Sequence, residues 1–362
     1  MADTAAPLEF TSAVELETAD IYARLKGKIS PLEWQIQAPL IAAINRLKKE
    51  MNAVILAHNY MTPDIFHGVG DYVGDSLGLA REAAQSDATI IVQGGVHFMA
   101  ETSKVLAPEK TVLIPDLEAG CSLASSITGD DVRLIKQRYP NLPVVAYVNT
   151  TADVKAETDV CCTSANAVQA VEYAAKLWGV DSVIMIPDEF LARNVARQTD
   201  VKIIAWGGKC IVHERFNAED IADVRLAHPG AIVLAHPECP PEVIAASDFT
   251  GSTTAMSDFI TKNLPKQVVL ITECSMADNV TSDAPGVEFL KPCNLCPYMK
   301  RITLQGIYDS LRFHQYEVTV DPALIPRAAA AVQRMIDMPP PKVPAHYDMI
   351  KARHHVDIEL IS

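Results

Sequence analysis

Apolar residues in this chain come in short runs, and each run ends in a polar cluster. Ala53 to Ala57 leads into His58, Asn59 and Tyr60, and Val144 to Ala146 leads into Tyr147, Val148 and Asn149. Ile232 to Ala235 leads into His236, Pro237 and Glu238. The markers at 58, 147 and 236 stand 89 and 89 residues apart. A second run, Thr89 to Val92, recurs as Ser182 to Ile186 and as Val268 to Ile271; a third, Thr111 to Ile114, recurs as Val201 to Ala205 and as Val287 to Leu290. After each third run stands a cysteine: Cys121, Cys210 and Cys296, spaced by 89 and 86 residues. The period exceeds that of solenoid repeats, roughly 20–50 residues, so each copy reads as a small domain. Three such copies, each delivering one thiol, predict a pseudo-threefold protein whose thiols meet in the middle.

Short buried runs bounded by turn residues and alternating with helix-like stretches read as βαβ units with parallel sheets. The expected class is α/β: three pseudo-threefold-related αβα sandwich domains with parallel sheets around a central site. Ligands of such sheets bind beyond the carboxyl ends of the strands, where the polar clusters and the cysteines all fall. The pattern divides the chain into an N-terminal helical extension (1–50, with a helix over Leu32 to Lys49), three αβα domains (51–140, 141–229 and 230–320), and a C-terminal helix and tail (321–362). In that last part an Ala-rich helix, Arg327 to Met335, precedes Met338-Pro339-Pro340-Pro341, a stop or wrap-around arm.

Composition narrows the function. Of 362 residues, 49% are apolar and 21% charged, with a formal net charge of −14. That charge argues against nucleic acid and anionic membranes as partners. Anionic substrates remain compatible with it, held by helix N-termini and hydroxyls. The first twenty residues hold five acidic side chains and no basic n-region, and no apolar stretch is long enough to span a bilayer; the expected location is cytoplasmic. Eight cysteines in such a chain favour reduced thiols or metal ligands over a disulfide framework. There is no Walker-type phosphate loop, no GxGxxG after a strand and no HExxH.

Three soft thiolates converging from three domains suit an iron–sulfur cluster or zinc; singly, each cysteine reads equally as a small buried hydrophobe. With three cysteine ligands, a [4Fe-4S] cluster keeps one iron open to act as a Lewis acid. Cys161, Cys162, Cys239 and Cys274 have no counterpart in the repeat and read as core or bystander thiols. The aligned pairs His58/Tyr60, Tyr147/Asn149 and His236/Glu238 place alternate side chains of three strand ends toward one cavity. Imidazole, phenol, amide and carboxylate together serve general acid–base chemistry on a small acid. Some sixteen to eighteen residues on come Ser76, Ser164 and Ser252-Thr253. Hydroxyls at helix starts cap the helix or bind an anion.

The motifs themselves resemble the quinolinate synthase family. AHNY at 57–60, GDSL at 74–77, HFMAETSK at 97–104, AGCSLA at 119–124 and YVNTTADVKAETD at 147–159 carry the resemblance, with TSANA at 163–167 and GKCIVHERF at 208–216. AHPEC at 235–239, GSTTAM at 251–256 and CNLCPYMKRITL at 293–304 continue it in order. The resemblance implies three αβα domains in a triangle, with a [4Fe-4S] cluster at their junction on Cys121, Cys210 and Cys296. It implies condensation of iminoaspartate with dihydroxyacetone phosphate to quinolinate, phosphate and two waters, for de novo NAD synthesis, with a functional link to the L-aspartate oxidase that makes the imine. On that reading Tyr60, Tyr147, His236 and Glu238 are catalytic, Glu238 as general base. His58, Tyr147, Asn149, His236 and Glu238 bind substrate with Ser76, Ser164 and Thr253. Cys293, in Cys293-Asn294-Leu295-Cys296, reads as a surface or core thiol, or as the partner of Cys296 in a disulfide that would switch the cluster off. His213 falls beside Cys210 without a specified role, and HFMAETSK reads as architectural, with Lys104 solvated or salt-bridged.

Overall fold

The computed structural model describes residues 8–339 and 358–361. Two short helices, α1 (Ser12–Glu17) and α2 (Ala19–Leu25), precede α3 (Pro31–Met51), which starts with a Ser30/Glu33 capping box and Pro31. Unit one continues through β1 (Ala53–His58), α4 (Pro63–Gly68), β2 (Tyr72–Gly74), α5 (Ser76–Gln85), β3 (Ile90–Gly94), α6 (His97–Leu106) and β4 (Thr111–Leu113). Unit two repeats this as α7 (Gly129–Arg138), β5 (Val144–Tyr147), α8 (Ala152–Ala156), β6 (Val160–Cys162), α9 (Ala167–Trp178), β7 (Ser182–Ile186), α10 (Glu189–Ala196) and β8 (Lys202–Trp206). Unit three does so as α11 (Ala218–Ala227), β9 (Ile232–Ala235), α12 (Pro241–Ala246), β10 (Phe249–Thr250), α13 (Thr253–Asn263), β11 (Gln267–Ile271), α14 (Cys274–Thr281) and β12 (Glu288–Leu290). After them come α15 (Leu304–Phe313), α16 (Ile325–Ile336) and β13 (Glu359–Ile361).

All strand pairs are parallel, in the orders β2-β1-β3-β4, β6-β5-β7-β8-β13 and β10-β9-β11-β12. The central strands are buried along nearly their whole length. This is why they appear as continuous apolar runs: helices cover both faces of each sheet. Order 2-1-3-4 puts a switch point between the first and third strands of each unit, where a crevice opens at the carboxyl edge. The class is thus the expected one, three parallel sheets flanked by helices.

The apolar pattern did not reveal the second strand of each unit. β2, β6 and β10 run only three, three and two residues, too short for a period-2 signal. A recurring aspartate holds them instead. Asp71, Asp159 and Asp248 immediately precede these strands, and each takes the main-chain N–H of the first strand (Ile55, Val144 and Val233) at 2.8 Å. The carboxylate also meets a cation from the helix that opens the unit: Lys48 at 2.8 Å and Arg225 at 3.0 Å on the other oxygen of Asp71 and Asp248, and Lys136 at 3.0 Å on the same oxygen of Asp159. One side chain thus locks helix, first strand and second strand together.

The pieces outside the repeat close the ring. The helix after Cys121 opens unit two and the helix after Cys210 opens unit three; α15, the helix after Cys296, packs on α3 and β3 of unit one. α16 packs on α8, β6 and α6, joining units one and two. The C-terminal tail is more than a tail, since β13 adds a fifth strand beside β8 of unit two. Pro340, Pro341 and most of that tail lie outside the described residues.

Asp159→Ala leaves the Val144 amide without its partner and is expected to cost about 1–3 kcal/mol of unfolding free energy, read as a lower urea midpoint. Lys136→Ala, which removes only a partly exposed ion pair, should cost about 0.2–1 kcal/mol.

Candidate active site

At the carboxyl edges of the three sheets lies a cavity, the usual place for ligands of open parallel sheets. Its lining takes in every strand-end residue singled out by the sequence: His58, Tyr60, Tyr147, Asn149, His236 and Glu238. Ser76, Ser164 and Thr253 line it as well, together with Cys121, Cys210 and Cys296. The residues gathered from three distant stretches of chain therefore face one space.

The cysteines sit in one repeated local structure. Each is followed by a short 3₁₀ turn (Ala124–Ser126, His213–Arg215 and Met299–Arg301) and then by a side-chain N-cap seven residues on: Thr128, Asn217 and Thr303. In each turn two main-chain N–H groups point at the sulfur: those of Leu123 and Ala124 at Cys121, of Val212 and His213 at Cys210, and of Tyr298 and Met299 at Cys296. Such nests favour a thiolate. Burial nevertheless dominates and pushes all three thiols up, Cys121 to about 12. A bound soft cation reverses that balance, because a coordinated thiol is deprotonated outright. Three free, inward-facing sulfurs, each with two amide donors, fit a metal or cluster with three thiolate ligands.

The other cysteines depart in part from expectation. Cys161, Cys162 and Cys239 are free and fully buried. Cys274 and Cys293, read from the sequence as unpaired thiols, are instead joined in a disulfide with Cα atoms 5.0 Å apart. Cys293 is accordingly not the partner of Cys296, which stays free. The reason is tertiary: a bridge between Glu273 and Asn294 lays the 293–296 segment along the start of α14. Glu273 also receives the Cys296 amide at 3.3 Å and Lys300 at 2.9 Å, and Lys300 reaches on to the carbonyl of Tyr60 at 2.9 Å.

His58 and His236 are built alike. His58 Nδ1 accepts the Tyr60 amide at 3.1 Å, and His236 Nδ1 accepts the Glu238 amide at 3.3 Å. That assigns the proton of each ring to Nε2. Burial pushes the two imidazoles down, to about 4 and about 3, so both stay neutral and offer an N–H donor. Tyr147 donates its phenol proton to Glu238 Oε1, and His213 Nδ1 lies 2.7 Å from Glu238 Oε2. Burial opposes ionisation of Glu238, but the two imidazoles and these two hydrogen bonds outweigh it and hold the carboxyl below its ordinary range. Burial, then the Glu238 charge, push Tyr60 and Tyr147 well above the usual phenol range.

Each hydroxyl of the second set stands at a helix start. Ser76 opens α5 behind the N-cap Asp75; Ser164 lies just before α9; Thr253 opens α13 behind the N-cap Ser252, its Oγ1 receiving Asn59 at 2.7 Å. Among the described residues, no lysine or arginine lines the cavity. Lys155 is a fully enclosed ammonium; it lies over the Phe98 ring at 5.5 Å and donates to the carbonyls of Val148 and Thr150. It thus pins the loop that carries Asn149, whose buried Oδ1 has no protein partner. Lys104, in HFMAETSK, donates to the Lys110 carbonyl and pairs with Glu317 at 3.6 Å. Asp75, Phe98, Met99 and Tyr298 also line the cavity and escaped the sequence reading; Tyr298 alone had a signal there, in its place two residues after Cys296.

Because the ordinary imidazole value is 6.5 and the folded values of His58 and His236 are about 4 and about 3, folding depresses both. Their contribution is full above pH 6.5. It is lost as pH falls, because the unfolded chain takes up protons that the folded chain refuses. Each should remove up to about 1.4 kcal/mol per pH unit below that point. Urea unfolding between pH 7 and 5 checks this: His58→Gln and His236→Gln should each flatten the slope, and an unchanged slope refutes the assignment.

Comparison with known proteins agrees with the motifs. A family profile described as Quinolinate synthetase A protein matches residues 42–337. A protein of Caulobacter vibrioides (strain NA1000 / CB15N) named quinolinate synthase is 72% identical over 352 residues, 97% of this chain and 96% of that protein. Quinolinate synthase of Sinorhizobium medicae (strain WSM419) is 59% identical over 331 residues, 91% of each chain. That of Xylella fastidiosa (strain 9a5c) is 62% identical over 296 residues, 82% of this chain and 86% of its own. This chain belongs to the quinolinate synthase family.

Proposed function

We propose that this chain condenses iminoaspartate with dihydroxyacetone phosphate to give quinolinate, phosphate and two waters, feeding NAD synthesis, and that Cys121, Cys210 and Cys296 hold a [4Fe-4S] cluster. The observation that carries the reading is the meeting, in one cavity, of three free thiols, three pairs of polar strand-end side chains and three helix starts. When bound, the cluster supplies an iron with an open position, a Lewis acid for a substrate oxygen.

The chain's own residues account for binding and proton handling. His58 and His236 donate from Nε2 to substrate carboxylates without adding charge. Ser76, Ser164 and Thr253 receive carboxylate and phosphate oxygens where helix N-termini add partial positive charge. The unpartnered Oδ1 of Asn149 offers a further acceptor. Tyr147 and Tyr60 stay protonated and handle protons in the ketose isomerisation and ring closure. Glu238 is the general base for proton removal and dehydration. Its low pKa makes it a weak base in the empty site, and substrate carboxylates bring negative charge that raises it on binding. Phe98, Met99 and Met299 give the cavity apolar walls that keep water from the hydrolysable imine. That lability also favours a close functional supply of imine from L-aspartate oxidase.

Two measurements test this. Purified without oxygen, the chain should be brown and hold about four irons. Cys121→Ala, Cys210→Ala and Cys296→Ala should each lose them, while Cys239→Ala keeps them; a colourless wild type overturns the cluster. With substrates supplied, Glu238→Gln should lower turnover by about 10²–10⁴-fold, and unchanged turnover removes Glu238 from the chemistry.

A further inference from the structure

The loop after the first strand is held in the same way in all three units. Its carbonyls at 59 and 61 in unit one recur at 148 and 150 in unit two and at 237 and 239 in unit three, spaced by 89 like the strand ends. In every unit one buried donor bridges the pair. Asn279 Nδ2 gives to the Asn59 and Met61 carbonyls at 3.0 and 2.8 Å, and Asn194 Nδ2 to those of Pro237 and Cys239 at 2.9 and 3.0 Å. Lys155 Nζ serves Val148 and Thr150. The residue between the two carbonyls is in turn Tyr60, Asn149 and Glu238, each a side chain of the cavity wall.

Two of the three clamps reach across unit boundaries. Asn194 is the sixth residue of α10 and Asn279 the sixth of α14, so unit two holds the loop of unit three, and unit three that of unit one. The sixth residue of α6 is Thr102, whose hydroxyl is engaged by the Phe98 carbonyl of its own helix at 2.7 Å. Lys155, from α8, stands in for it within unit two.

Carbonyl oxygens only accept, so the group set between two of them is the NH2 end of each amide. That leaves Oδ1 of Asn194 and of Asn279 buried without a hydrogen-bond partner, on side chains of residues 3% and 2% exposed. A buried acceptor left unpaired is destabilising, so each amide stabilises less than its two hydrogen bonds suggest. What it secures is the position of the loop. Both peptide planes around the middle residue are tethered, and its own N–H is bound to His58 Nδ1 at Tyr60 and to His236 Nδ1 at Glu238. The direction in which Tyr60 and Glu238 leave the main chain is thereby fixed.

We propose that Asn194 and Asn279 are positioning residues for the reaction, each aiming a side chain of a neighbouring unit into the cavity: Asn194 aims Glu238, and Asn279 aims Tyr60. This rests on the reading of the cavity as the quinolinate-forming site. It ties the reactive geometry to the docking of the units, because each aim is set by a helix of another unit.

The test compares iron-loaded wild type with Asn194→Leu and Asn279→Leu, which keep the branched shape and remove both donors. Each should lower kcat by about 10–100-fold with KM and iron content nearly unchanged. Because Asn194 acts through Glu238, Asn194→Leu combined with Glu238→Gln should be no slower than Glu238→Gln alone, and Asn279→Leu should likewise add nothing to Tyr60→Phe, as coupled sites require. Should a Leu variant not fold, Asn194→Ala or Asn279→Ala carries the same comparison. Amide hydrogen exchange reads the clamps without turnover. Asn194→Leu should speed exchange at Glu238 and Cys239 by about tenfold and leave Tyr60 and Met61 unchanged, and Asn279→Leu should do the reverse. Full kcat in both Leu variants, losses confined to KM, losses that multiply in the double variants, or exchange that rises in neither loop or equally in both would each overturn the proposal. A wild type that holds iron but forms no quinolinate defeats the proposed function instead, and the exchange comparison still decides the clamps.

Discussion

Taking a carboxylate out of water costs roughly several kcal/mol unless its oxygens are satisfied, and at the junction of the three units Glu238 is satisfied entirely by side chains of its neighbours. Tyr147 serves one oxygen and His213 the other, both from unit two, while Glu238 itself belongs to unit three. His213 is stacked on His236 with ring centroids 4.7 Å apart and reaches unit one through Thr272 and Tyr60. The same contacts that make the buried charge tolerable thus fix how the units meet. Burial sets the protonation pattern of the site with them: burial, helped by the Glu238 charge, holds both phenols in their protonated form, and burial keeps the flanking imidazoles neutral.

Around this asymmetric centre the frame is close to threefold. The aspartate that joins helix to strands, the parallel 2-1-3-4 order and the sulfur nest with its N-cap seven residues later all occur three times. The side chains mounted on that frame do not repeat. Three residues after the cysteines stand Ala124, His213 and Met299, one of them polar; the strand ends carry His and Tyr, Tyr and Asn, His and Glu. Equivalent backbone positions thus carry the same thiol three times, and different side chains at the three strand ends.

Much of this was legible along the chain. Fully buried parallel strands leave unbroken apolar runs, and residues at their ends recur at a fixed spacing, so the first, third and fourth strands of each unit and the polar set from His58 to Glu238 could be read. The second strands could not, because two or three residues carry no period; their signal was the triplet Asp71, Asp159 and Asp248, spaced like the cysteines. The disulfide of Cys274 with Cys293 was also hidden. Spacing along the chain favours Cys296 as a partner, whereas the approach of the 293–296 segment to α14 decides for Cys274.

The sequence by itself determined the α/β class, the three copies, the thiols and the polar strand ends, because local burial and repeat period are written directly into residue order. Only the tertiary structure decided which of those groups touch. Thr272 looks like any strand-end threonine, and His213 like any histidine after a cysteine. Their roles arise from contacts 59 and 212 residues apart in sequence, and hydrogen-bond direction depends on the partner that folding brings to each lone pair.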